Sequence, residues 1–270
     1  MLNTSRLVSY LTMGLFFISL LSGFIVAFAY HPSLAFQSVQ KINFLIPYGL
    51  FFRKLHYFSS EAFTLFLLLH VVYELSKQRV KISSSSWNYS ILALVLVIIL
   101  MFSGFVLKAD ASGKAAAEVT FNLLKETPIL SNFLALLKDS SIFYYKFFIW
   151  HILFLPIILL YAIYKHTNTL QTRIEFISTA LGVTILTLLI FSMPKDIVLG
   201  VDVKHLSSPW FFLGAENLLA KSWSPLSVNL FLATPFLFLI LYFYTKHKNI
   251  IKVLLALWLI VYILISILLK

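Results

Sequence analysis

Seven runs of mostly apolar residues constrain this 270-residue chain more than any other feature. A transmembrane helix needs about 20 predominantly apolar residues, because the hydrocarbon core of a bilayer is about 30 Å thick. The runs cover roughly residues 7–30, 55–76, 87–107, 144–165, 174–194, 226–246 and 250–269. With 60% hydrophobic and 11% charged residues, the composition is typical of a polytopic membrane protein. The sequence therefore predicts an all-α membrane protein with seven spans and its termini on opposite sides.

The positions of the basic residues explain the net charge of +11. Lysine and arginine are concentrated in the short connections at 77–81, 165–173 and 246–252, which contain no acidic residue. The positive-inside rule places these connections and the N-terminus in the cytoplasm. Anchoring at the membrane surface accounts for the charge, so we exclude a nucleic-acid partner. We expect an integral protein of a prokaryotic cytoplasmic (inner) membrane.

The chain contains no cysteine. This excludes a disulfide framework, an iron–sulfur cluster held by thiolates, and a haem attached covalently through a Cys-x-x-Cys-His motif. Any metal chemistry of the chain must therefore rest on histidine or carboxylate ligands.

Two of the apolar runs carry a histidine near each end. His56 and His70 are 14 residues apart in the second run, and His151 and His166 are 15 apart in the fourth. At about 100° and 1.5 Å per residue, each pair occupies one broad helix face, with its members about 21–22 Å apart along the axis. Because both even-numbered spans cross the bilayer in the same direction, His56 can pair with His151, and His70 with His166.

A site of two imidazoles between apolar helices has too few ligands for structural zinc, but it fills the two axial positions of haem iron. The spacing thus predicts two b-type haems, which transfer electrons and do not bind oxygen. The alternative is that each histidine is only an interhelical hydrogen-bonding group, as single membrane histidines often are. The matched pairs favour haem. The other histidines, His31, His205 and His247, lie at span ends or in loops and are interpreted as interfacial residues.

Small residues repeat at the same interval on two other spans. Ser9 and Gly23 in the first run are 14 residues apart, as are Ser90 and Gly104 in the third. A haem between helices needs small residues where the backbone comes closest. We expect the serines near the cytoplasmic haem and the glycines near the outer one, although ordinary helix packing uses the same residue types.

Taken together, these residues resemble cytochrome b of the respiratory and photosynthetic cytochrome bc complexes over nearly the whole chain. Pro156, five residues after His151, and the segment AYHPSLAFQSVQKI at 29–42 are similar to the chloroplast form. The resemblance implies that Arg53, three residues before His56, pairs with a propionate of the outer haem. It also implies dimerisation.

The resemblance further implies two domains fused in one chain. Residues 1–170 would form a four-helix dihaem cytochrome b domain. Residues 171–270 would form a three-helix C-terminal domain with an outer loop at 194–225, which the chloroplast system makes as a separate chain.

The sequence departs from the family at the outer quinol-oxidising pocket. In SPWFFLGAENLL, Pro209 stands where the family has the glutamate of a Pro-Glu-Trp-Tyr-like motif. A carboxylate there can accept a quinol proton, and Glu216 or Glu61 is a candidate to replace it; alternatively, Glu61 faces a propionate or a partner. Trp210 is predicted to form a wall of the pocket, or alternatively to anchor the loop at the interface. Ser9 and Ser90 replace family glycines, and Tyr73 replaces a family arginine.

The resemblance implies a dihaem subunit of a membrane quinol oxidoreductase. Quinol would be oxidised near the outer haem, and one electron would leave to an extrinsic iron–sulfur or c-type cytochrome subunit. The other would cross both haems to a quinone near the cytoplasmic face. An alternative, favoured by Pro209, is a dihaem anchor that connects an extrinsic dehydrogenase, reductase or multihaem cytochrome to the quinone pool without bifurcation. A third is a haem-free transporter or assembly scaffold, although the sequence lacks the inverted repeat typical of many transporters.

Overall fold

The computed structural model describes residues 4–77, 82–125, 142–170, 172–198 and 209–268. Every regular element in these ranges is helical. The helices are α1 (Thr4–Ala29), α2 (Ala35–Phe44), α3 (Gly49–Ser76), α4 (Ser84–Leu107), α5 (Ala111–Lys125), α6 (Phe143–Thr167), α7 (Ile174–Ile190), α8 (Leu213–Ala220), α9 (Pro225–Tyr244) and α10 (Lys248–Leu268), with a short 3₁₀ helix at Pro32–Leu34.

The predicted all-α membrane fold is confirmed. Six helices, α1, α3, α4, α6, α9 and α10, are long and apolar enough to cross a bilayer. The remaining predicted span corresponds to α7, which is apolar but has only 17 residues. Because 17 residues is at the lower limit of about 17–25 for a spanning helix, the count of exactly seven spans stays a prediction.

Local sequence explains where several helices begin and end. The N-cap of α9 is Ser224, whose side chain accepts a hydrogen bond from the Ser227 backbone N–H, and Pro225 occupies the first turn. Ser224 thus satisfies one backbone N–H that a helix start leaves unpaired, and Pro225 has no N–H that would need a partner. Helix α6 ends at Thr167. The next residue, Asn168, has a φ of 56°, and asparagine tolerates this left-handed conformation better than most residues.

The chain divides into two compact units. Unit 1 comprises Met1–Ser103 and Phe148–Lys195. In it, α1 packs against both α3 and α7. The approach of α1 to α7 depends on Gly14, because a Cβ at this position would lie 2.7 Å from the backbone oxygen of Phe176. Buried side chains shared by the helices of this unit include Leu15, Phe63, Val97, Leu159 and Ala180.

Unit 2 comprises Gly104–Phe147 and Asp196–Lys270. Its small core is formed by Leu123, Ala215, Leu218 and Val228. The rings of Trp258 and Tyr262 on α10 stack 5.1 Å apart, and the Tyr262 hydroxyl donates to the Phe211 backbone oxygen at 2.6 Å. The division predicted at residue 170 stays a prediction; by compactness, α7 belongs with unit 1.

A fully buried aspartate organises the start of α5 in unit 2. Asp110 accepts hydrogen bonds from the backbone N–H groups of Gly113 at 2.8 Å and Ile197 at 3.0 Å. Its carboxylate also lies 3.1 Å from the Lys108 ammonium. In return, the Ala111 N–H donates to the Ile197 backbone oxygen at 3.0 Å. Asp110 thus ties the chain that follows α7 to the beginning of α5.

Helix α6 is interrupted by a π-helical segment, Trp150–Phe154. In a π turn each hydrogen bond spans five residues rather than four, so the segment accommodates one residue more than an α turn. Pro156 follows directly after Leu155. It has no N–H, and its ring crowds the carbonyl of Ile152, four residues earlier, so the regular α ladder cannot continue through this point.

Candidate functional site

The candidate site consists of two pairs of histidines in unit 1. His56 on α3 faces His151 on α6, with ring centres 6.2 Å apart and ring planes at 88°. His70 on α3 faces His166 on α6, with ring centres 6.5 Å apart and planes at 79°. The structure therefore brings together the two pairs that the sequence spacing matched.

These separations fit one metal ion between each pair of rings. Two bonds of about 2 Å from imidazole nitrogen to metal, plus about 1.1 Å from nitrogen to ring centre on each side, give about 6.2 Å between centres. The separations of 6.2 and 6.5 Å agree with this sum. Each pair could hold one iron ion in the axial positions of a haem.

The π segment explains why the two pairs match although their spacings differ. Fourteen residues separate the histidines of α3, and fifteen separate those of α6. His151 lies within Trp150–Phe154, and the π turn takes up one extra residue with little change of helix face. Fifteen residues in α6 therefore cover nearly the same rotation as fourteen in α3.

A closed set of hydrogen bonds surrounds His56. Its Nδ1 lies 2.9 Å from the backbone oxygen of Ser19, which can only accept, so Nδ1 carries the proton. The Ser60 hydroxyl donates to the backbone oxygen of His56 at 2.7 Å. The Ser19 hydroxyl lies 2.6 Å from that of Ser60 and completes the ring of contacts between α1 and α3.

Each of the other three histidines has a serine hydroxyl at Nδ1. Ser103 Oγ lies 2.9 Å from Nδ1 of His151. Ser9 Oγ lies 3.3 Å from Nδ1 of His70. Ser86 approaches His166 with both its hydroxyl, at 3.2 Å, and its backbone oxygen, at 3.0 Å.

Because every Nδ1 has a hydrogen-bond partner, Nε2 of each ring is available as a ligand. Metal-binding histidines typically use one ring nitrogen for the metal and the other for an orienting hydrogen bond. Across the described ranges there is no cluster of three or more His, Cys, Asp or Glu that could hold a metal ion. The donor set thus suits a cofactor that needs only two protein ligands, as a haem with two axial histidines does.

Comparison with known proteins agrees with this geometry. The family described as cytochrome b/b6/petB matches residues 2–174 of the chain. The chain belongs to the cytochrome b/b6 family. Membership of this family implies binding of haem b, and the two imidazole pairs meet the geometric requirement of that group.

Individual members of the cytochrome b/b6 family match the same part of the chain. Cytochrome b6 of Heliomicrobium gestii is 25% identical over 178 residues, which is 62% of this chain and 82% of the relative. Cytochrome b of Schizosaccharomyces octosporus is 30% identical over 177 residues, again 62% of this chain but only 44% of the relative. The match thus spans less than half the length of this yeast protein.

A solved structure extends the likeness in fold to the whole length. A chain of a structure titled "Hyperthermophilic respiratory Complex III" superposes with a TM-score of 0.71 and 18% identity. The superposition covers 99% of this cytochrome b family chain and 84% of the other. At this identity the likeness establishes a shared fold.

The four predicted small residues do not all have the same position relative to the histidines. A Cβ on Gly23 would lie 2.6 Å from Cε1 of His56, so this glycine makes room for the ligand ring itself. Ser9 contacts His70. Ser90 donates to the Trp87 backbone oxygen at 2.7 Å, and Gly104 is half-buried near the end of α4.

Sequence reasoning missed three of the residues next to the histidines. They are Ser19, Ser86 and Ser103. Each is close in sequence to a small residue that was singled out: Ser19 precedes Gly23 by four, Ser86 precedes Ser90 by four, and Ser103 precedes Gly104. For Ser86 and Ser103, the available signal was a hydroxyl within an apolar span at the level of a ligand; Ser19 contacts His56 through its backbone oxygen.

Two basic residues near the histidines have partners within unit 1. Arg53 lies one turn before His56 and donates from Nη1 to Asn43 Oδ1 at 2.8 Å. Lys77, near the His70 end of α3, pairs with Glu74 at 2.5 Å. The role of Arg53 toward a haem propionate stays a prediction.

The predicted quinol-site residues are spread over both units. Glu61 is half-buried on α3 in unit 1, whereas Glu216 is half-buried on α8 in unit 2. Trp210 is 41% exposed, and its ring contacts that of Phe211 at 5.7 Å. His205 lies outside the described residues, within 199–208.

Proposed function

We propose that this chain is the dihaem b-type cytochrome subunit of a membrane quinol oxidoreductase. It would transfer electrons across the membrane between quinol or quinone and an extrinsic redox partner. The observation that carries the proposal is the pair of facing imidazole sites, with ring centres 6.2 and 6.5 Å apart and a hydrogen bond at every Nδ1.

In this proposal His56 and His151 hold one haem b, and His70 and His166 hold the other. Haem iron with both axial positions filled supplies one-electron transfer. The chain's own residues bind and orient the group: the serines and the Ser19 carbonyl fix the imidazoles, Gly23 leaves space for the His56 ring, and Arg53 pairs with a propionate. The apolar spans exclude water from the two sites.

The chain requires partners for this activity. It has no cysteine for an iron–sulfur cluster or a covalently attached haem, so an extrinsic iron–sulfur or c-type cytochrome subunit must accept the electron. The membrane supplies quinone. We further propose a homodimer in a prokaryotic cytoplasmic (inner) membrane, with the N-terminus in the cytoplasm and the His56/His151 pair in the outer half.

For the quinol pocket we propose Glu216, or alternatively Glu61, as the carboxylate that replaces the family glutamate, and Trp210 as an aromatic residue of the pocket. A carboxylate can accept a proton from quinol as it is oxidised. Glu61 is also an ionisable group within a membrane-spanning helix, a position that is costly unless it serves a function. Trp210 would supply an aromatic wall for the quinol ring.

A second function is favoured by one observation, the proline at position 209 in place of the family glutamate. The chain would then be a dihaem membrane anchor that connects an extrinsic dehydrogenase, reductase or multihaem cytochrome to the quinone pool without bifurcation. Both functions use the same four histidines, so they differ only in the chemistry of the quinol pocket.

Haem content tests the shared part of both functions. The purified chain should show a reduced-minus-oxidised spectrum of b-type haem with two haems per chain. His70→Ala should reduce the count to one, because it removes an axial ligand of only one site. His247→Ala changes an exposed histidine and should leave two. A colourless wild-type chain, expressed with sufficient haem, would instead support the haem-free transporter or scaffold.

Quinol oxidation in the native complex separates the two functions. In a bifurcating enzyme, an outer-site inhibitor should block reduction of the haem held by His70 and His166 from a quinol analogue. Glu61→Gln or Glu216→Gln should slow the same step. Haem reduction that is insensitive to every outer-site inhibitor would favour the anchor.

A further inference from the structure

Two buried serines of α4 contact the two histidines of α6. Ser103, which is 3% exposed, contacts His151, and Ser86, which is 8% exposed, contacts His166. The family resemblance assigns no role to either serine.

The partners of Ser103 determine the direction of its hydrogen bonds. Its Oγ lies 3.0 Å from the backbone oxygen of Leu100 and 2.9 Å from Nδ1 of His151. A hydroxyl has one proton, and a carbonyl can only accept. When the proton goes to Leu100, Oγ accepts from Nδ1–H of His151.

Ser86 repeats this arrangement at the other site. Its hydroxyl donates to the backbone oxygen of His166 at 2.6 Å. Nδ1–H of His166 then donates to the Ser86 backbone oxygen at 3.0 Å and approaches the hydroxyl oxygen at 3.2 Å. The His166 carbonyl lies in the last turn of α6, where backbone oxygens have no partner within the helix. Ser86 therefore has two effects: its hydroxyl supplies a donor to the His166 carbonyl at the end of α6, and its oxygens orient the His166 imidazole.

We infer that Ser103 and Ser86 are positioning residues. The Ser103 hydroxyl holds His151, and the Ser86 hydroxyl together with the Ser86 backbone oxygen holds His166, in the Nδ1-protonated tautomer with Nε2 directed at the facing histidine. The inference rests on the proposed function, because the consequence concerns the haems that these histidines would hold. An acceptor at Nδ1 makes an imidazole a stronger electron donor, which stabilises the oxidised metal. Loss of either hydroxyl should therefore raise the midpoint potential of one haem, with the larger rise for Ser103, because the Ser86 backbone oxygen stays at Nδ1 of His166.

Helix α4 supplies a matched control. Ser85 is adjacent to Ser86 on this helix and is exposed. Ser85→Ala removes a hydroxyl from the same helix at a position with no predicted role at either haem. Ser103→Thr and Ser86→Thr keep the hydroxyl and should restore the wild-type potential.

The test is a redox titration of the full-length chain, with haem counted for each variant. Ser103→Ala and Ser86→Ala should each shift one haem to a higher midpoint potential and leave the other unchanged. Ser85→Ala should titrate like wild type. Loss of one haem, with the other at its wild-type potential, also supports the inference, because the remaining haem reports an intact bundle.

Other results would overturn the inference in distinguishable ways. Two haems at wild-type potentials in both alanine variants would refute the positioning role and leave the proposed function standing. An equal shift in Ser85→Ala would do the same, because it would attribute the effect to the helix and not to the hydrogen bonds. A wild-type chain without haem would overturn the proposed function and this inference with it.

Discussion

His56 and His151 face each other with their rings almost perpendicular, at 88°, and their centres 6.2 Å apart. The angle follows from different anchors on the two sides. His56 is fixed by the backbone oxygen of Ser19 on α1, whereas His151 is fixed by the hydroxyl of Ser103 on α4. Since these anchors lie on separate helices, the ring planes are set independently of each other.

The crossed rings predict a specific magnetic signature. When two axial imidazoles are perpendicular, neither in-plane direction of the iron is favoured, and the ferric low-spin state becomes strongly anisotropic. The angles of 88° and 79° predict such a state at both sites. Low-temperature electron paramagnetic resonance of the oxidised chain should show two highly anisotropic low-spin signals. Signals typical of parallel imidazoles would contradict the ring geometry.

Gly23→Ala should remove one of the two haems. The new Cβ would lie 2.6 Å from Cε1 and 2.8 Å from Nδ1 of His56, so the ring must leave its position. Gly182→Ala on α7 is the matched control, because nothing lies within 4 Å of its added Cβ. Glycine to alanine within a helix is favourable by about 1 kcal/mol in itself, so the control should retain two haems. A Gly23→Ala chain with two haems and an unchanged spectrum would refute this role.

Arg53→Gln should lower the midpoint potential of the haem held by His56. A nearby positive charge favours the reduced state, which carries one negative charge more than the oxidised state, so its removal favours oxidation. Lys54→Gln removes the same charge from the adjacent half-buried residue and serves as the control. Redox titration should show a larger downward shift for Arg53→Gln, confined to one haem. Equal shifts for both variants would indicate a general effect of charge and no specific pairing.

Asp110→Asn should destabilise unit 2 without changing haem content. The carboxylate is fully buried and accepts from Gly113, Ile197 and Lys108. Replacing one oxygen by an NH₂ group sets donor against donor and breaks a buried ion pair, at a cost of about 3 kcal/mol. The midpoint of thermal unfolding in detergent should fall. Glu118→Gln, an exposed carboxylate on the same helix, should leave that midpoint close to wild type.

Sequence alone predicted the helices and the matching of the histidines, for a physical reason. A bilayer leaves a spanning segment little choice but the α-helix, and a regular helix converts residue spacing directly into height and angle. The interval between His56 and His70 therefore defines their relative positions on α3 from residue numbers alone. The same reasoning matched His151 with His56, and His166 with His70, which the structure brings together.

The surroundings of the histidines could not be predicted in the same way. Whether a serine turns toward a ligand or toward its own helix depends on packing between helices. Ser86 and Ser90 are one turn apart on α4, yet only Ser86 contacts a histidine. Ser103 and Gly104 are adjacent. The 14-residue spacing indicated Gly104, whereas the Ser103 hydroxyl contacts His151. Spacing identifies the level of a residue but not its partner.

The π-helical segment Trp150–Phe154 of α6 affects how related chains should be compared. Two helices can place their ligands at the same separation along the helix axis with different numbers of residues between them, provided that one helix contains a wider turn. An alignment that demands equal intervals between ligands allows no gap in either helix and misassigns every residue beyond the wider turn. Related chains should therefore be compared by the direction in which the imidazoles point, and not by the number of residues between them.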